Sequence, residues 1–485
     1  MPRPLVLIHG YSDKGASFQA WRDRLTQIAP SRPIETISTC TYQSLTDDVT
    51  IKDLADGLER ALRARFSEPT RASFAAGNQA AWQWPQGFQF DAIVHSTGML
   101  VLREWLARDR RRLSCLKHLV ALAPATFGSP LARLGRSWLG AVFKGSKHLG
   151  PDFLAAGDAI LDGLELASSY TWELANRDVF NEKPFYDNGP DTPYVFVFCG
   201  TDAYDGIREL ANTPGMDGTV RWAGASFNTR KIILDLTRET KQAVRAADWM
   251  AINVPVHLLP GMNHGTILSA PTDDLVQLVK TALDVETSDN FNAWLKNADA
   301  AGKAEIVAAD PDKGAWQQMI VRCVDQRGDP IKDYHITVFD GDDVVTGFDD
   351  EHVAVYSRDS SYRCFHFNLN ALFARKTLQI KIMALSGSQW VDYQGFGWES
   401  PGAPHHSPTA NEAWDAVFDL TDQLRHDLKT HNDVVAGNTT FNNERLFAPF
   451  TTTLVEIRLD RDAFPYELEK ISKLLGWDDD AAAVG

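Results

Sequence analysis

The chain has 485 residues, of which 44% are hydrophobic and 23% charged. These proportions supply apolar material for more than one core and exclude wholesale disorder or a fibre. A formal net charge of −16 argues against a general nucleic-acid binder, which needs clustered positive charge. The one basic run, Arg108–Arg112, reads as a solvated helix end.

The cysteines number 5 and include no C-x-x-C pair, which argues against a disulfide framework or a structural zinc site. No apolar run reaches the roughly 18 residues that span a bilayer. The first strand-like run begins almost at the initiator Met, so no signal peptide is expected. The expectation is a cytoplasmic protein, or one exported by a signal-peptide-independent route.

Over residues 1–290, strand-like and helix-like segments alternate, the pattern of a mostly parallel sheet with flanking helices. Leu5–Ile8 is a short apolar run suited to a strand buried on both faces. Phe18, Trp21, Leu25 and Ile28 then recur at helical spacing, as do Ile51, Leu54, Leu58, Ala61 and Leu62. Asp91–His95 is a second strand and leads straight into a helix over Leu100–Leu106. His118–Ala123, Tyr194–Cys199 and Val256–Leu259 are further strands, and Asp274–Leu283 closes this half as a helix.

About 70 residues separate the third and fourth of these strands, far more than an ordinary connection. Leu131, Leu134, Trp138, Leu139, Val142 and Phe143 form an apolar stripe there, interleaved with Arg133, Arg136, Lys144 and Lys147. Residues 129–190 therefore read as a helical insertion. It is either a cap over a site or a core-packed excursion, and its cationic amphipathic stretch also suits a membrane surface.

Near residue 310 the period becomes two. Tyr334, Ile336 and Val338 alternate, as do Phe365, Phe367 and Leu369, then Leu378, Ile380 and Ile382, then Val455, Ile457 and Leu459. Alternation with polar partners predicts antiparallel strands with one buried face, and so a β-sandwich over 314–477. Residues 291–313 read as a polar linker, Tyr393–Ala410 as a long loop, and 478–485 as a tail. His405, His406 and Asp415 match no standard metal spacing and read as part of that solvated loop.

Chemistry is concentrated in three stretches of the first half. In Asp91-Ala92-Ile93-Val94-His95-Ser96-Thr97-Gly98 a buried strand runs into a Ser and a helix follows at once, the context of a nucleophile elbow. Small residues are needed two before and two after the Ser. Gly98 meets that demand and Val94 departs from it. The plainer reading of Ser96 is a helix cap. Leu5–Ile8 ends in His9-Gly10-Tyr11, where the amide of Tyr11 could face a developing oxyanion with the amide of Thr97 as its partner. Such donors are worth roughly 3–4 kcal/mol each in acyl transfer. His264 follows the strand Val256–Leu259 in a loop, where a general base can reach a Ser at the same sheet edge. His9, His95 and His257 read as structural side chains. A carboxylate that orients His264 could be Asp202, Asp205 or Asp217, since each lies between Ser96 and His264, and spacing alone does not choose.

His9-Gly10, the Ser96 elbow and His264, in that order, resemble the α/β-hydrolase family, and within it the lipases. Asp217-Gly218-Thr219-Val220 resembles the D-G-x-V segment that carries the acid in several lipase branches. His264 with Ile267 and Leu268, and Ala123-Pro124 with Gly128-Ser129, resemble segments of lipases related to lecithin–cholesterol acyltransferases. The resemblance covers about residues 1–285. It implies an α/β-hydrolase catalytic domain with Ser96 as nucleophile, His264 as base and Asp217 as acid, with Asp202 as second choice.

The expected activity is that of a serine carboxylester hydrolase, a lipase or phospholipase-like esterase, that needs no metal or organic cofactor. Its expected partner is an acyl ester or lipid, with peripheral contact to a lipid surface through the cap, where Trp138 and Phe143 would line an acyl pocket. Amidase, thioesterase and acyltransferase activity use the same three side chains. A reading of another class is a non-catalytic binding protein on a hydrolase scaffold.

Overall fold

The computed structural model describes residues 3–9, 18–37, 48–66, 87–136, 157–183, 185–189, 191–204, 213–238, 244–246, 254–299, 306–307, 310–345, 353–396, 405–406, 413–435, 445–463, 465–467 and 471–472. The chain divides into two compact units, Met1–Thr229 with Met250–Trp316, and Arg230–Trp249 with Gln317–Gly485. Among the described residues no helix is long and apolar enough to cross a membrane.

The strands of the chain up to residue 260 are β1 (Leu5–Ile8), β2 (Ile34–Ile37), β3 (Phe90–His95), β4 (Leu116–Leu122), β5 (Tyr194–Gly200), β6 (Thr229–Asp235), β7 (Val244–Ala246) and β8 (Val256–Leu259). Six of them form the sheet of the first unit in the order β2-β1-β3-β4-β5-β8. Every pairing in it is parallel. Every residue of β1, β3 and β5 is buried, because helices cover both faces of a parallel sheet and leave no solvent side for polar alternation. The chain passes from β1 outward to β2 and then returns to the other side of β1 as β3. Such a reversal opens a crevice at the carboxyl ends of the two central strands. His9 and Ser96 are the residues that follow β1 and β3.

The helix Gly98–Arg108 is buried from Gly98 to Leu106. Arg103 on that helix is wholly buried and forms a two-bond ion pair with buried Asp178, at 2.8 and 2.9 Å. It also donates to the Thr126 carbonyl at 2.5 Å and stacks on Phe127 and Phe227. Tyr186 donates to the same carboxylate at 3.0 Å. The brace ties the helix behind Ser96 to the loop that follows β4.

In the insertion, helices Asp158–Leu164 and Ser169–Arg177 are described. Arg177 and Tyr170 both bond the buried Glu104 carboxylate of the Gly98–Arg108 helix. Gly163 lies against the Ile51 side chain. This part of the insertion is packed into the core. The part that carries Trp138 and Phe143 lies outside the described residues.

The segment read as a polar linker opens differently. Ser288–Trp294 is a helix, and its Phe291 and Trp294 rings pack on Phe196 at centroid distances of 5.5 and 4.8 Å. The polar residues around them face outward and two aromatics anchor the turn.

The second unit adds β9 (Trp316–Asp325), β10 (Tyr334–Asp340), β11 (Asp343–Val344), β12 (Val353–Val355), β13 (Tyr362–Asn368), β14 (Gln379–Ala384), β15 (Val391–Gly395), β16 (His405–His406), β17 (Trp414–Asp419) and β18 (Thr451–Ala463). One sheet runs β11-β10-β14-β17, and a second runs β12-β13-β9-β18-β15-β16 with β6 and β7 joined through β18. Val321, Cys323, Ile457 and Leu459 from the second sheet and Tyr334, Ile382, Trp414 and Phe418 from the first share one core. This is the expected sandwich, with two departures. The pairing of β9 with β18 is parallel. The stretch from Tyr393 read as loop holds the end of β15 and all of β16, with Gln394 opposite His406. Asp415 pairs with Lys381 at 2.5 Å.

The Arg103–Asp178 pair makes a stability prediction. Removing one member leaves a buried charge without its partner, which costs about 3–5 kcal/mol. Asp178→Ala should lower the unfolding free energy by that amount in urea titration, and adding Arg103→Met should recover part of it.

Candidate active site

Ser96 follows β3 with φ of 52°, in the left-handed region that a residue with a Cβ rarely adopts. The strain is held in place on both sides. Ser96 donates its N–H to the Leu122 carbonyl at 3.2 Å, and its own carbonyl accepts from Ala125 N at 3.2 Å. The next helix begins at Gly98. A Cβ there would lie 2.7 Å from the Ile8 carbonyl oxygen, so only Gly lets the helix start this close to β1. Val94, the departure, is fully buried between Ile8 of β1 and Ala121 of β4 in register. Ser96 is 5% exposed and Thr97 is fully buried.

Asp217 is fully buried. Its Oδ1 accepts from Thr219 N at 3.0 Å and Val220 N at 2.7 Å, which closes a tight turn around the carboxylate. Gly218 takes φ of 89° in that turn, and a Cβ on it would lie 2.7 Å from the Tyr204 ring. The turn is pinned from the loop after β4. Ser129 donates to the Thr219 carbonyl at 2.6 Å, Thr126 to the Ala225 carbonyl at 2.7 Å, and Phe127 N to the Gly224 carbonyl at 3.0 Å.

His264 follows β8. Asn263 shapes its turn by accepting from Gly265 N and Thr266 N, each at 3.0 Å. The backbone N–H of His264 donates to the Asp217 carbonyl at 3.0 Å. Its ring Nδ1 lies 3.1 Å from Asp217 Oδ2, and its Nε2 lies 3.1 Å from Ser96 Oγ. A carboxylate only accepts, so Nδ1 carries the proton and donates to Asp217. That leaves Nε2 to accept from the Ser96 hydroxyl. The structure thus brings Ser96, His264 and Asp217 side chains into one hydrogen-bonded row.

Asp202 is not part of that row. It is exposed and accepts from Thr201 Oγ1 at 3.0 Å and Gly261 N at 3.2 Å, bracing the loop that leads to His264. Asp205 and Tyr11 lie outside the described residues. His257 packs edge-on to Trp294 at a centroid distance of 6.5 Å, a structural placement. His9 is buried beside Phe18. The burial of Cys199 and the nearby Asp217 charge push its thiol well above the usual range, so the site holds a protonated thiol that is no rival nucleophile.

Tyr204 was not singled out from the sequence. Its ring covers Gly218 and its hydroxyl lies 3.3 Å from Thr219 Oγ1, so it walls the acid turn. No spacing signal marks it, because its role comes from a packing contact made after the chain has folded. Among the described residues no group of three or more His, Cys, Asp or Glu side chains could hold a metal ion.

No family model matches the sequence, and no curated protein matches it. Solved structures do. The chain is similar to phospholipase PlaB from Legionella pneumophila, at 21% identity and a TM-score of 0.71, over 98% of this chain and 97% of that one. A second structure of PlaB, in complex with thio-NAD, matches at 20% identity and a TM-score of 0.69 over the same shares. A parallel six-stranded sheet flanked by helices, with a β-rich second unit and a likeness that runs through both, makes this chain a protein of the α/β-hydrolase fold.

Proposed function

We propose that the protein is a serine carboxylester hydrolase of the lipase or phospholipase kind. The observation that carries this reading is the row Ser96–His264–Asp217, with both contacts at 3.1 Å and Ser96 on a strained turn at the end of a central strand. A Ser hydroxyl is a weak nucleophile until a neutral imidazole takes its proton. As Ser96 Oγ bonds to the ester carbonyl carbon, its proton passes to His264 Nε2. The imidazolium that forms is stabilised by Asp217 at Nδ1.

The carbonyl oxygen becomes an oxyanion, and the Thr97 amide, at the start of the Gly98–Arg108 helix, is the donor assigned to it, with Tyr11 as the second. Collapse of the intermediate breaks the bond to the alcohol, which leaves with the proton from His264. Water then adds to the acyl-enzyme, giving its proton to the same nitrogen. The fatty acid departs and Ser96 recovers its hydrogen. No step calls for a metal or an organic cofactor.

The choice of a lipid ester rests on the whole-chain likeness to a phospholipase.

A fluorophosphonate probe should label the wild-type chain, and Ser96→Ala should lose both the label and the hydrolysis of p-nitrophenyl esters and phospholipids. Hydrolysis by folded Ser96→Ala at the wild-type rate removes the mechanism. On the same substrates Asp217→Asn should lower kcat by about 10⁴-fold, since the His tautomer is then no longer held. Asp202→Asn should stay within about threefold, as expected for an exposed surface change. The reverse ranking of these two variants makes Asp202 the acid.

A further inference from the structure

His264 is gripped at its side chain by Ser96 and Asp217 and at its N–H by the Asp217 carbonyl. Its own carbonyl is held as well. His95 Nε2 lies 3.0 Å from the His264 carbonyl oxygen, and the two rings meet at a centroid distance of 4.8 Å. A carbonyl oxygen only accepts, so His95 carries its proton on Nε2 and donates it. His95 is 8% exposed, and it is the last residue of β3, directly before Ser96. Two consecutive residues of one strand end therefore hold the two ends of the same histidine. Ser96 meets its ring and His95 meets its backbone.

We propose that His95 is a positioning residue for the base, fixing the backbone of His264 to the strand that delivers the nucleophile, so that the distance from Nε2 to Ser96 Oγ is set by one rigid element. The inference rests on the reading of Ser96 and His264 given above. Without His95, among the described residues the backbone of the His264 loop is hydrogen-bonded to the acid turn but not to the strand that precedes Ser96. The loop could then drift from Ser96 with its Asp217 bonds intact. A misplacement of about 1 Å in a reacting pair is enough to cost a rate factor as large as 10². Burial, with His264 beside it, drives the His95 imidazole well below its ordinary range. The ring therefore stays neutral and keeps a single donor, and it brings no second positive charge beside the imidazolium that forms during turnover.

The test compares side chains at position 95 that differ in reach. His95→Gln can place an amide N–H where Nε2 stands, whereas His95→Asn is too short. His95→Phe keeps the ring contact and loses the donor. The expected result is a kcat, and a rate of fluorophosphonate labelling, within about threefold of wild type for Gln and lowered about tenfold or more for Asn and Phe, as expected for loss of an aligning hydrogen bond. KM should change by less than about twofold in all three, since the substrate itself is untouched. The melting temperature of each variant separates misfolding from misplacement. If Phe fails to fold, the contrast between Gln and Asn decides alone. Equal rates in Gln and Asn, or a wild-type kcat in folded Phe, overturn the inference while Ser96 labelling stands. A wild-type chain that takes no label at all overturns the esterase reading instead.

Discussion

A hydroxyl buried at the end of a strand can act only if its proton has a destination, and the contact between Ser96 Oγ and His264 Nε2 supplies one. The rest of the first unit serves to make that contact without adjustment. Ser96 and His264 are 168 residues apart in sequence, and each follows a strand of the same parallel sheet. The sheet fixes where the two strands end. The final ångströms are set by short-range features: Gly98 lets the helix begin against Ile8, and Asn263 closes the turn that carries His264.

That geometry is costly to hold. A left-handed Ser with its Cβ costs of order 1–3 kcal/mol, and it persists only where the surroundings over-determine it. Here β1, β3 and the Gly98–Arg108 helix are buried almost throughout. Relaxing the turn means moving elements already committed to the core. Asp217 is treated in the same way. Its two turn amides hold the carboxylate in one rotamer, and Ser129, Thr126 and Phe127 keep the turn in place. Desolvation of the carboxylate is offset by these charge-assisted bonds rather than by solvent.

Much of this is legible in the residues. A buried apolar run ending in Ser with Gly two places on marks the turn, because only one backbone geometry needs that pair. His264 is legible as a His in a loop after a strand. The acid is not legible from spacing, since three carboxylates keep the order. What decides between Asp202 and Asp217 in the structure is Gly218, which permits the turn that aims one carboxylate inward, while Asp202 has its own loop to brace. Composition misleads in two places. The polar stretch after Val285 hides Phe291 and Trp294 three residues apart on one helix face. The Gly and Pro content near Tyr393 hides the end of β15. Period-two alternation reveals β18 but says nothing of direction, and it does not mark β9, which is buried almost throughout, so their parallel pairing is beyond its reach.

The least legible feature is that β6 and β7 join the sheet of the second unit although they fall between Asp217 and His264 in the chain. An apolar run such as Ile232-Ile233-Leu234 looks the same whichever sheet it enters, so the sequence gives no sign of the exchange. Asp217 and His264 therefore stand at either end of an excursion that leaves their own unit. Asn228 makes this tolerable. Its Oδ1 accepts from Val254 N at 2.9 Å and its Nδ2 donates to the Val254 carbonyl at 2.9 Å. One side chain thus copies a backbone pairing and ties the exit of the excursion to its return. With the neck closed inside the first unit, the path from Asp217 to His264 is short-circuited. Whatever strands lie in the loop beyond, the distance between carboxylate and imidazole is set by contacts that the first unit makes with itself.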